Sequence, residues 1–367
     1  MRLKKGPPDL ILFITALTLL GIGLIMVFSS SAVTAGVRYG DAYYFFKRQL
    51  LWSFIGLCAL LVTMKINYQK LKGMSIPAMV IALLCLIIVV TPLGIETKGS
   101  SRWLGIGSVR LFAPSELAKL AIVMFLARTM EVNLDKLKYF IKGVLPYLGI
   151  LIVIFGLIMK QPDLGTAFVI SATIFFMMLV AGVRWSHLGG IAATGLAGVF
   201  AAILVAPYRM QRLIAFADPW KYASDEGFQT IQSLYALGSG GLFGMGLGRS
   251  RQKFFYLPEQ HTDFIFAILG EELGFLGAIL VIALFLLFAW RGFKIAINAP
   301  DTFGSLLAAG ITVMITFQAA INIGVVSGVL PVTGITLPFI SHGGSSLLFT
   351  MIGVGLLLNI SRYSSNR

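Results

Sequence analysis

The chain has 367 residues, of which 57% are hydrophobic and only 12% are charged. Soluble domains carry about 25% charged residues, so this chain lacks the polar side chains needed to cover a water-exposed surface. Intrinsic disorder is excluded by the same figures, because disordered chains combine low hydrophobicity with high charge. A membrane protein is the class that remains. Nucleic-acid binding, the usual first interpretation of a net charge of +14, is therefore not expected.

Ten apolar segments reach or approach the roughly 20 residues that a transmembrane helix requires. In chain order they cover residues 10–33, 48–64, 74–91, 115–130, 144–159, 164–181, 187–206, 264–290, 303–325 and 338–360. They predict an all-α polytopic membrane protein with about ten transmembrane helices, which forms a single integral-membrane domain over residues 1–367. Cys58 and Cys85 both lie within these segments and are interpreted as small core hydrophobes.

The longest connection, residues 207–262 between helices seven and eight, is the largest polar feature of the chain. Loops of this length are uncommon unless they are functional, and its many aromatic residues distinguish it from a solvated tether. Basic residues in the other connections, beginning with Arg2, Lys4 and Lys5, predict that both termini are cytoplasmic. We therefore expect a large extracytoplasmic loop that packs on the membrane surface or enters the outer leaflet.

Ionisable residues in or beside the membrane segments point to function, because they are costly there. Glu116 opens the fourth segment, and Lys119 follows three residues later on the same helix face. The Lys119 side chain could extend back toward the headgroups. Alternatively, it forms a buried pair with Glu116 or with Asp163, which lies in the short turn before the sixth segment. Such a pair would line a cavity that opens to the outer side.

Six glycines in residues 238–248 precede a basic triplet, Arg249, Arg251 and Lys253. Glycine permits close approach of the backbone to an anion, and the triplet could add charge-assisted hydrogen bonds to phosphate oxygens. The alternative is a flexible outer loop that faces anionic lipid. No strand precedes this run, so it does not match a dinucleotide-binding fingerprint.

Asp263 is the last polar residue before the eighth apolar segment, with Glu259 and His261 close by in sequence. It could cap the following helix, or act as a general base at the outer rim. Helical spacing allows at most one of Glu271 and Glu272 to line the same cavity, and Glu271 is the expected one.

These residues resemble the motifs of the SEDS family (shape, elongation, division and sporulation), which includes RodA, FtsW and SpoVE. The resemblance extends from the first helix to Tyr363, and the runs at 250–256 and 270–274 are closer to FtsW and SpoVE than to RodA. Ala113 and His342 depart from the family's usual Gln and Tyr, which affects local contacts and leaves the charged residues intact. The matching motifs are Arg102-Trp103, residues 114–119, 161–165, 256–266, 270–274 and 331–346.

The resemblance implies a peptidoglycan glycosyltransferase that polymerises lipid II on the outer face of the bacterial cytoplasmic membrane, during division or sporulation. It implies that Asp263 is the catalytic carboxylate. A pyrophosphate leaving group needs charge neutralisation and the acceptor hydroxyl needs a base, so one carboxylate with cations is enough, unlike in glycoside hydrolysis. The expected substrate-binding residues are Arg102, Lys119, Arg209, Arg212, Glu259 and His261. Glu116, Asp163 and Glu271 are expected to form a charge network in the cavity.

A divalent cation, Mg²⁺ or Mn²⁺, could share in binding the pyrophosphate, although the sequence contains no dedicated site for one. The partners implied by the resemblance are lipid II, a class B penicillin-binding protein transpeptidase, and other division or sporulation proteins. An alternative is a flippase that transports lipid II, which Lys119, Glu116 and Asp163 would suit. Against it, the charged residues cluster on one side, and matched broken helices typical of transporters are not evident. A scaffold for a division partner is a third interpretation.

Overall fold

The computed structural model describes residues 6–97, 100–106 and 109–364. Arg2, Lys4 and Lys5, which helped to predict a cytoplasmic N-terminus, lie outside the described residues. The described chain forms α-helices, one small sheet and three short helical turns. The α-helices are α1 (Leu10–Tyr39), α2 (Tyr44–Lys65), α3 (Tyr68–Val90), α4 (Pro114–Val132), α5 (Leu145–Met159), α6 (Leu164–Val180), α7 (Trp185–Val205), α8 (Pro207–Ala217), α9 (Phe228–Gly240), α10 (Ile265–Ile297), α11 (Thr302–Val326) and α12 (Gly344–Ser361). The short turns are 3-10 helices at Leu134–Lys138 and Trp220–Tyr222 and a π-helix at Phe140–Val144.

All ten predicted segments contain a helix, which confirms the multi-pass helical fold. Within the described residues, eight helices are long and apolar enough to cross a membrane. The other two predicted segments are α6, which has 17 residues, and α4, which contains four charged side chains. The charges of α4 and the short length of α6 thus explain why these two helices fall short of that criterion.

The first and the last described residues lie at the same end of the helix bundle. The N–H of Gly6 donates to the carbonyl of Arg362 at 2.8 Å, and the N–H of Asp9 donates to Ser361 Oγ at 3.0 Å. An even number of crossings requires this arrangement. Which face of the bundle is cytoplasmic stays a prediction.

Several helix ends differ from the predicted ones because polar residues extend or interrupt helices beyond the apolar core. Helix α1 continues past residue 33 until Gly40 ends it with φ 70°. Helix α3 begins six residues before 74, where the Asn67 side chain accepts a hydrogen bond from the N–H of Gln69 and caps it. Helix α2 begins at Tyr44 and not at 48, and α12 begins at Gly344 and not at 338.

The all-α polytopic class is confirmed, and the connection between α3 and α4 adds a small sheet that the sequence did not predict. Strands β1 (Ile95–Thr97), β2 (Ser100–Ile106) and β3 (Val109–Phe112) form an antiparallel sheet in the order β1-β2-β3. Strand β2 contacts α3 and α4. The strands are only three to seven residues long, so their alternation is too short to stand out beside the apolar helices.

Residues 207–262 are also more ordered than a loop, because they contain α8 and α9. Helix α9 packs against α10, and Ser233 Oγ donates to the carbonyl of Val326 at 2.6 Å. Helix α11 is central, with 78% of its most apolar stretch buried, whereas only 6% of the corresponding stretch of α7 is buried. The core therefore surrounds α11, and α7 lies at the periphery.

Candidate functional site

An irregular segment between α11 and α12, residues 331–337, lies at the centre of the candidate site. None of these described residues belongs to a helix or strand, so their buried carbonyls need partners from elsewhere. Asn322 Nδ2 donates to the carbonyl of Ile335 at 2.7 Å, and Gln318 Nε2 donates to that of Thr336 at 2.9 Å. A Cβ atom on Gly165 would clash with the Ile335 side chain, so the first turn of α6 packs closely on the segment.

Asp263 lies beside the 331–337 segment. A Cβ atom on Gly334 would lie 3.6 Å from Asp263 Oδ2, and Asn322 Nδ2 also donates to the backbone carbonyl of Asp263 at 2.7 Å. Within the described chain, the N-cap of α10 is Phe264 and it makes no side-chain capping hydrogen bond. Helix α10 therefore begins after Phe264, one residue beyond Asp263. Its half-buried carboxylate faces the glycine of the segment.

Lys119 forms the predicted buried pair with Glu116. Its Nζ lies 2.8 Å from Glu116 Oε2, and its side chain is only 5% exposed. Gln318 Oε1 accepts a second hydrogen bond from Lys119 Nζ at 2.6 Å. The alternative in which Lys119 extends to the headgroups is wrong. Because Gln318 also binds Thr336, the pair is joined to the 331–337 segment.

Asp163 has a different cation from the one predicted. It caps α6 by accepting hydrogen bonds from Thr166 N–H at 3.0 Å and Thr166 Oγ1 at 2.9 Å. Its Oδ2 lies 3.8 Å from Arg102 Nη1. Of the two predicted partners of Lys119, Glu116 is therefore the one that binds it. The cation beside Asp163 is Arg102, which lies on β2.

Arg102 connects the sheet to the α5–α6 turn through backbone carbonyls. Its Nε donates to the carbonyl of Gln161 at 3.1 Å and its Nη2 to that of Pro162 at 2.6 Å. About a third of the Arg102 side chain stays exposed. The Gln161 side chain is buried, and among the described residues neither of its amide atoms has a hydrogen-bond partner. Buried polar atoms of this kind are normally satisfied by water or a ligand.

The two arginines of α8 have different surroundings. Arg212 is exposed and its Nη1 donates to the carbonyl of Val332 at 3.3 Å, so it contacts the 331–337 segment. Arg209 Nη1 donates to the carbonyl of Ala202 at 2.9 Å, and its guanidinium stacks on Tyr208. The structure therefore brings Arg212 to the site and holds Arg209 in the α7–α8 connection.

Glu271 and Glu272 are both buried and bind the basic stretch that precedes the site. The Glu271 carboxylate accepts hydrogen bonds from Ser250 Oγ and from the N–H of Arg251 at 2.8 Å. The Glu272 carboxylate pairs with Lys253 Nζ at 3.1 Å and accepts from Ser29 Oγ at 2.6 Å. The structure thus places Glu271 against the loop backbone and not in a network with Glu116 and Asp163.

The glycine run, interpreted from the sequence as an anion cradle or a flexible loop, packs against a break in α10. Helix α10 is interrupted at Gly274, which has φ 69° and ψ −169°. Met245 N–H donates to the carbonyl of Glu271 at 2.9 Å, and Phe275 N–H donates to that of Gly241 at 2.8 Å. A Cβ atom on Gly244 would overlap the backbone of α10. The glycines therefore let the loop supply hydrogen bonds that the broken helix lacks.

Glu259 and His261 lie in the turn that leads to Asp263. Glu259 Oε2 accepts a hydrogen bond from Thr262 Oγ1 at 2.9 Å. The His261 ring packs 4.4 Å from the Phe45 ring and 5.9 Å from the His342 ring. Burial, followed by the charges of His261 and Arg48, lowers the pKa of His342 to about 3. His342 is therefore a neutral ring in the wall beside this turn.

The site also contains side-chain amides that a search for charges misses. Gln318 and Asn322 lie inside the predicted segment 303–325 and are four residues apart, a spacing that places them on one face of α11. Gln161 lies in the α5–α6 turn, and Gln49 Oε1 lies 3.1 Å from His342 Nδ1. Polar side chains at helical spacing within an apolar segment were the signal that could have identified the first two.

Comparison with known proteins identifies the family. Residues 9–366 match the FtsW/RodA/SpoVE family, described as "Cell cycle protein". The chain belongs to this family. Stage V sporulation protein E of Bacillus subtilis (strain 168) is 50% identical over 99% of this chain and 100% of its own length. A protein of Geobacter sp. (strain M18), named "Probable peptidoglycan glycosyltransferase FtsW", is 42% identical over 98% of both chains.

Two solved structures have the same fold as this chain. One, described as "Structural coordination of polymerization and crosslinking by a peptidoglycan synthase complex", has a TM-score of 0.80 at 30% identity and covers 97% of this chain and 98% of its own. The Thermus thermophilus rod shape determining protein RodA has a TM-score of 0.73 at 28% identity, with 98% of both chains covered. The family's fold thus extends over nearly the whole chain.

Proposed function

We propose that this chain is a peptidoglycan glycosyltransferase that polymerises lipid II on the outer face of the cytoplasmic membrane. The observation that carries the proposal is the convergence of Asp263, Arg212 and Lys119 on the 331–337 segment, the last through Gln318. Relatives named peptidoglycan glycosyltransferase support the reaction class. The multi-pass fold supplies a membrane site for a lipid-linked donor.

The reaction needs one base and a stabilised leaving group. Asp263 accepts the proton of the acceptor sugar hydroxyl while that oxygen bonds to the anomeric carbon of the donor. The bond between that carbon and the pyrophosphate oxygen breaks, the electron pair leaves with the lipid pyrophosphate, and the configuration inverts. The pyrophosphate carries its own charge as it leaves and needs no protonation, so its stabilisation falls to cations.

The cations differ in how much charge they can offer the pyrophosphate. Lys119 is already neutralised by Glu116 at 2.8 Å, so it contributes a directed hydrogen-bond donor more than net charge. Arg212 is exposed and Arg102 is partly exposed, and a guanidinium can bind two phosphate oxygens at once. We therefore assign the main clamp role to Arg102 and Arg212. Arg209, whose guanidinium is held by Ala202 and Tyr208, is the least suited of these residues to bind the pyrophosphate.

A divalent cation fits this site only in part. Among the described residues, no group of three or more His, Cys, Asp or Glu side chains could hold a metal ion. Mg²⁺ is often bound largely by substrate phosphates, and the pyrophosphate would be its chief ligand here because Asp263 is assigned as the base. Such an ion would supply additional charge stabilisation to the leaving group.

The test is lipid II polymerisation by purified protein carrying Asp263→Asn or Asp263→Ala. Removal of a general base typically costs about 10²- to 10⁴-fold in rate, so we expect glycan strands to be lost while the melting temperature is retained. Glu131→Gln is the matched control, because Glu131 pairs with Lys72 at 2.6 Å in the α3–α4 contact toward the opposite end of the bundle. Near-normal polymerisation by Asp263→Ala would refute the assignment.

Transport of lipid II is the second candidate, since α10 is broken at Gly274 as helices are in many transporters. Polymer formation in detergent, where no second compartment exists, separates the two. A protein that only transports the lipid would yield no glycan strands in this assay, whereas the proposed polymerase would produce them.

A crosslinking transpeptidase of the class B penicillin-binding type is the proposed partner. One solved relative belongs to a complex that coordinates polymerization and crosslinking, and polymerised strands are the substrate of crosslinking. Co-purification of this chain with such a transpeptidase, followed by the polymerisation assay with and without it, tests the partnership. A cytoplasmic location of both termini is part of the same proposal, and cysteine labelling from one side of the membrane at Ser364→Cys tests it.

A further inference from the structure

Two side-chain amides of α11, Gln318 and Asn322, connect the charged groups of the site to each other. They are four residues apart and therefore lie on the same face of the helix. Both are buried, at 4% and 1% exposure. They reach two consecutive carbonyls, those of Ile335 and Thr336, so one helical turn of α11 holds the middle of the 331–337 segment.

Asn322 links this segment to the backbone of Asp263. A side-chain amide nitrogen has two N–H donors, and Asn322 uses both, at 2.7 Å to the carbonyl of Asp263 and 2.7 Å to that of Ile335. The two carbonyls are thereby held at a fixed separation. Since Gly334 adjoins Ile335, the same link determines how the Asp263 carboxylate sits against Gly334.

Gln318 makes the corresponding link to Lys119. Its Oε1 accepts a hydrogen bond from Lys119 Nζ at 2.6 Å, and its Nε2 donates to the carbonyl of Thr336 at 2.9 Å. Because the oxygen and nitrogen ends of the amide have different partners, only one orientation of the amide satisfies both. Lys119 is therefore aligned by Gln318 as well as by Glu116.

We propose that Asn322 and Gln318 are positioning residues for glycosyl transfer, which hold the base Asp263 and the cation Lys119 in a fixed relation through the 331–337 segment. This inference rests on the proposed function, in which Asp263 takes the acceptor proton. A role limited to folding would need only the segment's own carbonyls to be satisfied. Here each amide binds the segment and one charged residue or its backbone at the same time.

The expected effect is on the chemical step. A displacement of about 1 Å in a reacting group can cost about 10²-fold in rate, because the base no longer meets the acceptor hydroxyl in line. Asn322→Ala should therefore lower the kcat of lipid II polymerisation by about that factor while KM stays close to the wild-type value. Asn322→Ser, which keeps one donor, should give an intermediate kcat.

Asn359 provides a matched control. It is equally buried, on α12, and it also binds backbone with both ends of its amide. Its Nδ2 donates to the carbonyl of Met64 at 2.7 Å, and its Oδ1 accepts from the N–H of Tyr68 at 3.0 Å. Asn359 lies at the other end of the bundle, so Asn359→Ala should lower the melting temperature comparably and leave kcat near wild type.

Gln318→Met, which keeps the side-chain length and removes both hydrogen bonds, decides the question if Asn322→Ala does not fold. The proposal is supported if Gln318→Met has a lower kcat/KM and either Asn322→Ala or Asn322→Ser has a lower kcat. In the same experiment Asn359→Ala must keep the wild-type kcat. Wild-type kcat in the folded α11 variants, or an equal loss in Asn359→Ala, overturns it. Asp263→Ala is measured alongside. If Asp263→Ala is active, the proposed function fails, whereas an inactive Asp263→Ala with a fully active Asn322→Ala refutes this inference alone.

Discussion

The buried pair between Lys253 and Glu272 should hold the basic stretch 249–253 against α10. Nζ and Oε1 are 3.1 Å apart, and neither side chain is more than 5% exposed. Removing one partner of a buried pair leaves an uncompensated charge and costs about 3–5 kcal/mol. Each remaining charge here keeps other partners, since Glu272 accepts from Ser29 and Ser250, and Lys253 donates to the Gly248 carbonyl. We therefore expect Lys253→Met and Glu272→Gln each to cost about 3 kcal/mol, the low end of that range.

A double-mutant cycle measures whether the two charges are coupled. The free energy of unfolding is measured by denaturant in detergent for the two single variants and for the double variant Lys253→Met/Glu272→Gln. The double variant should lose less stability than the sum of the two single losses, because it contains no isolated buried charge. Trypsin cleavage after the exposed Arg249 and Arg251 should accelerate in the single variants. Lys47→Met, which removes an exposed pair with Asp41, is the control and should change neither measurement. Additive losses would refute the reasoning.

Two further predictions concern the backbone and a neutral ring. Gly274→Ala should lower the melting temperature and the polymerisation rate, because Gly274 has φ 69° and a Cβ there would overlap Gly244. Gly198 lies in open space within α7, so Gly198→Ala should lower neither quantity. His342 is neutral when folded, with a pKa of about 3, and can take up a proton when unfolded below about pH 6.5. Stability should therefore fall as the pH drops from 6.5 toward 3, with a slope of up to about 1.4 kcal/mol per pH unit. His342→Gln should flatten this fall in thermal unfolding between pH 6.5 and 5, and equal slopes would contradict it.

The membrane helices were predictable because a bilayer imposes a length and an apolar composition that a single sequence displays. Helices α4 and α6 show the limit of that signal, since one is interrupted by charges and the other is 17 residues long. Both were still found, because residues 115–130 and 164–181 are apolar runs that approach the length of a membrane crossing. The sheet at 95–112 was missed, since strands of three to seven residues give too few alternations beside the stronger helical pattern.

Charge pairs were predictable where they depend on local geometry alone. The Lys119–Glu116 pair follows from a spacing of three residues on one helix. The partner of Asp163 depends on how β2 crosses the α5–α6 turn, which brings in Arg102 from 61 residues earlier in the sequence. Long-range placement of this kind leaves no periodic trace in a single sequence.

The glycine run at 238–248 shows that a glycine-rich sequence can indicate close backbone packing without indicating what packs against the backbone. Because Gly244 has no side chain, its backbone can lie close to an anion or to another part of the protein. The sequence alone suggested an anion-binding loop or a flexible loop. The structure places the broken turn of α10 there. The same ambiguity does not affect Asp263, whose assignment rested on a resemblance and whose position beside Gly334 is independent of the glycine run.

The basic side chains in and near the candidate site divide into two classes with different consequences for an anionic substrate. Lys119 and Lys253 are buried, and each is neutralised by a glutamate, so they add little to the field that reaches solvent. Arg212, Arg249 and Arg251 are exposed, and an exposed guanidinium keeps its charge at every physiological pH. A pyrophosphate-linked substrate would therefore meet arginines before it meets either lysine. A planar guanidinium binds two phosphate oxygens in a fixed geometry and an ammonium does not. The exposed arginines are therefore suited to the first contact with a pyrophosphate, whereas Lys119, held by Glu116, is suited to donating one directed hydrogen bond.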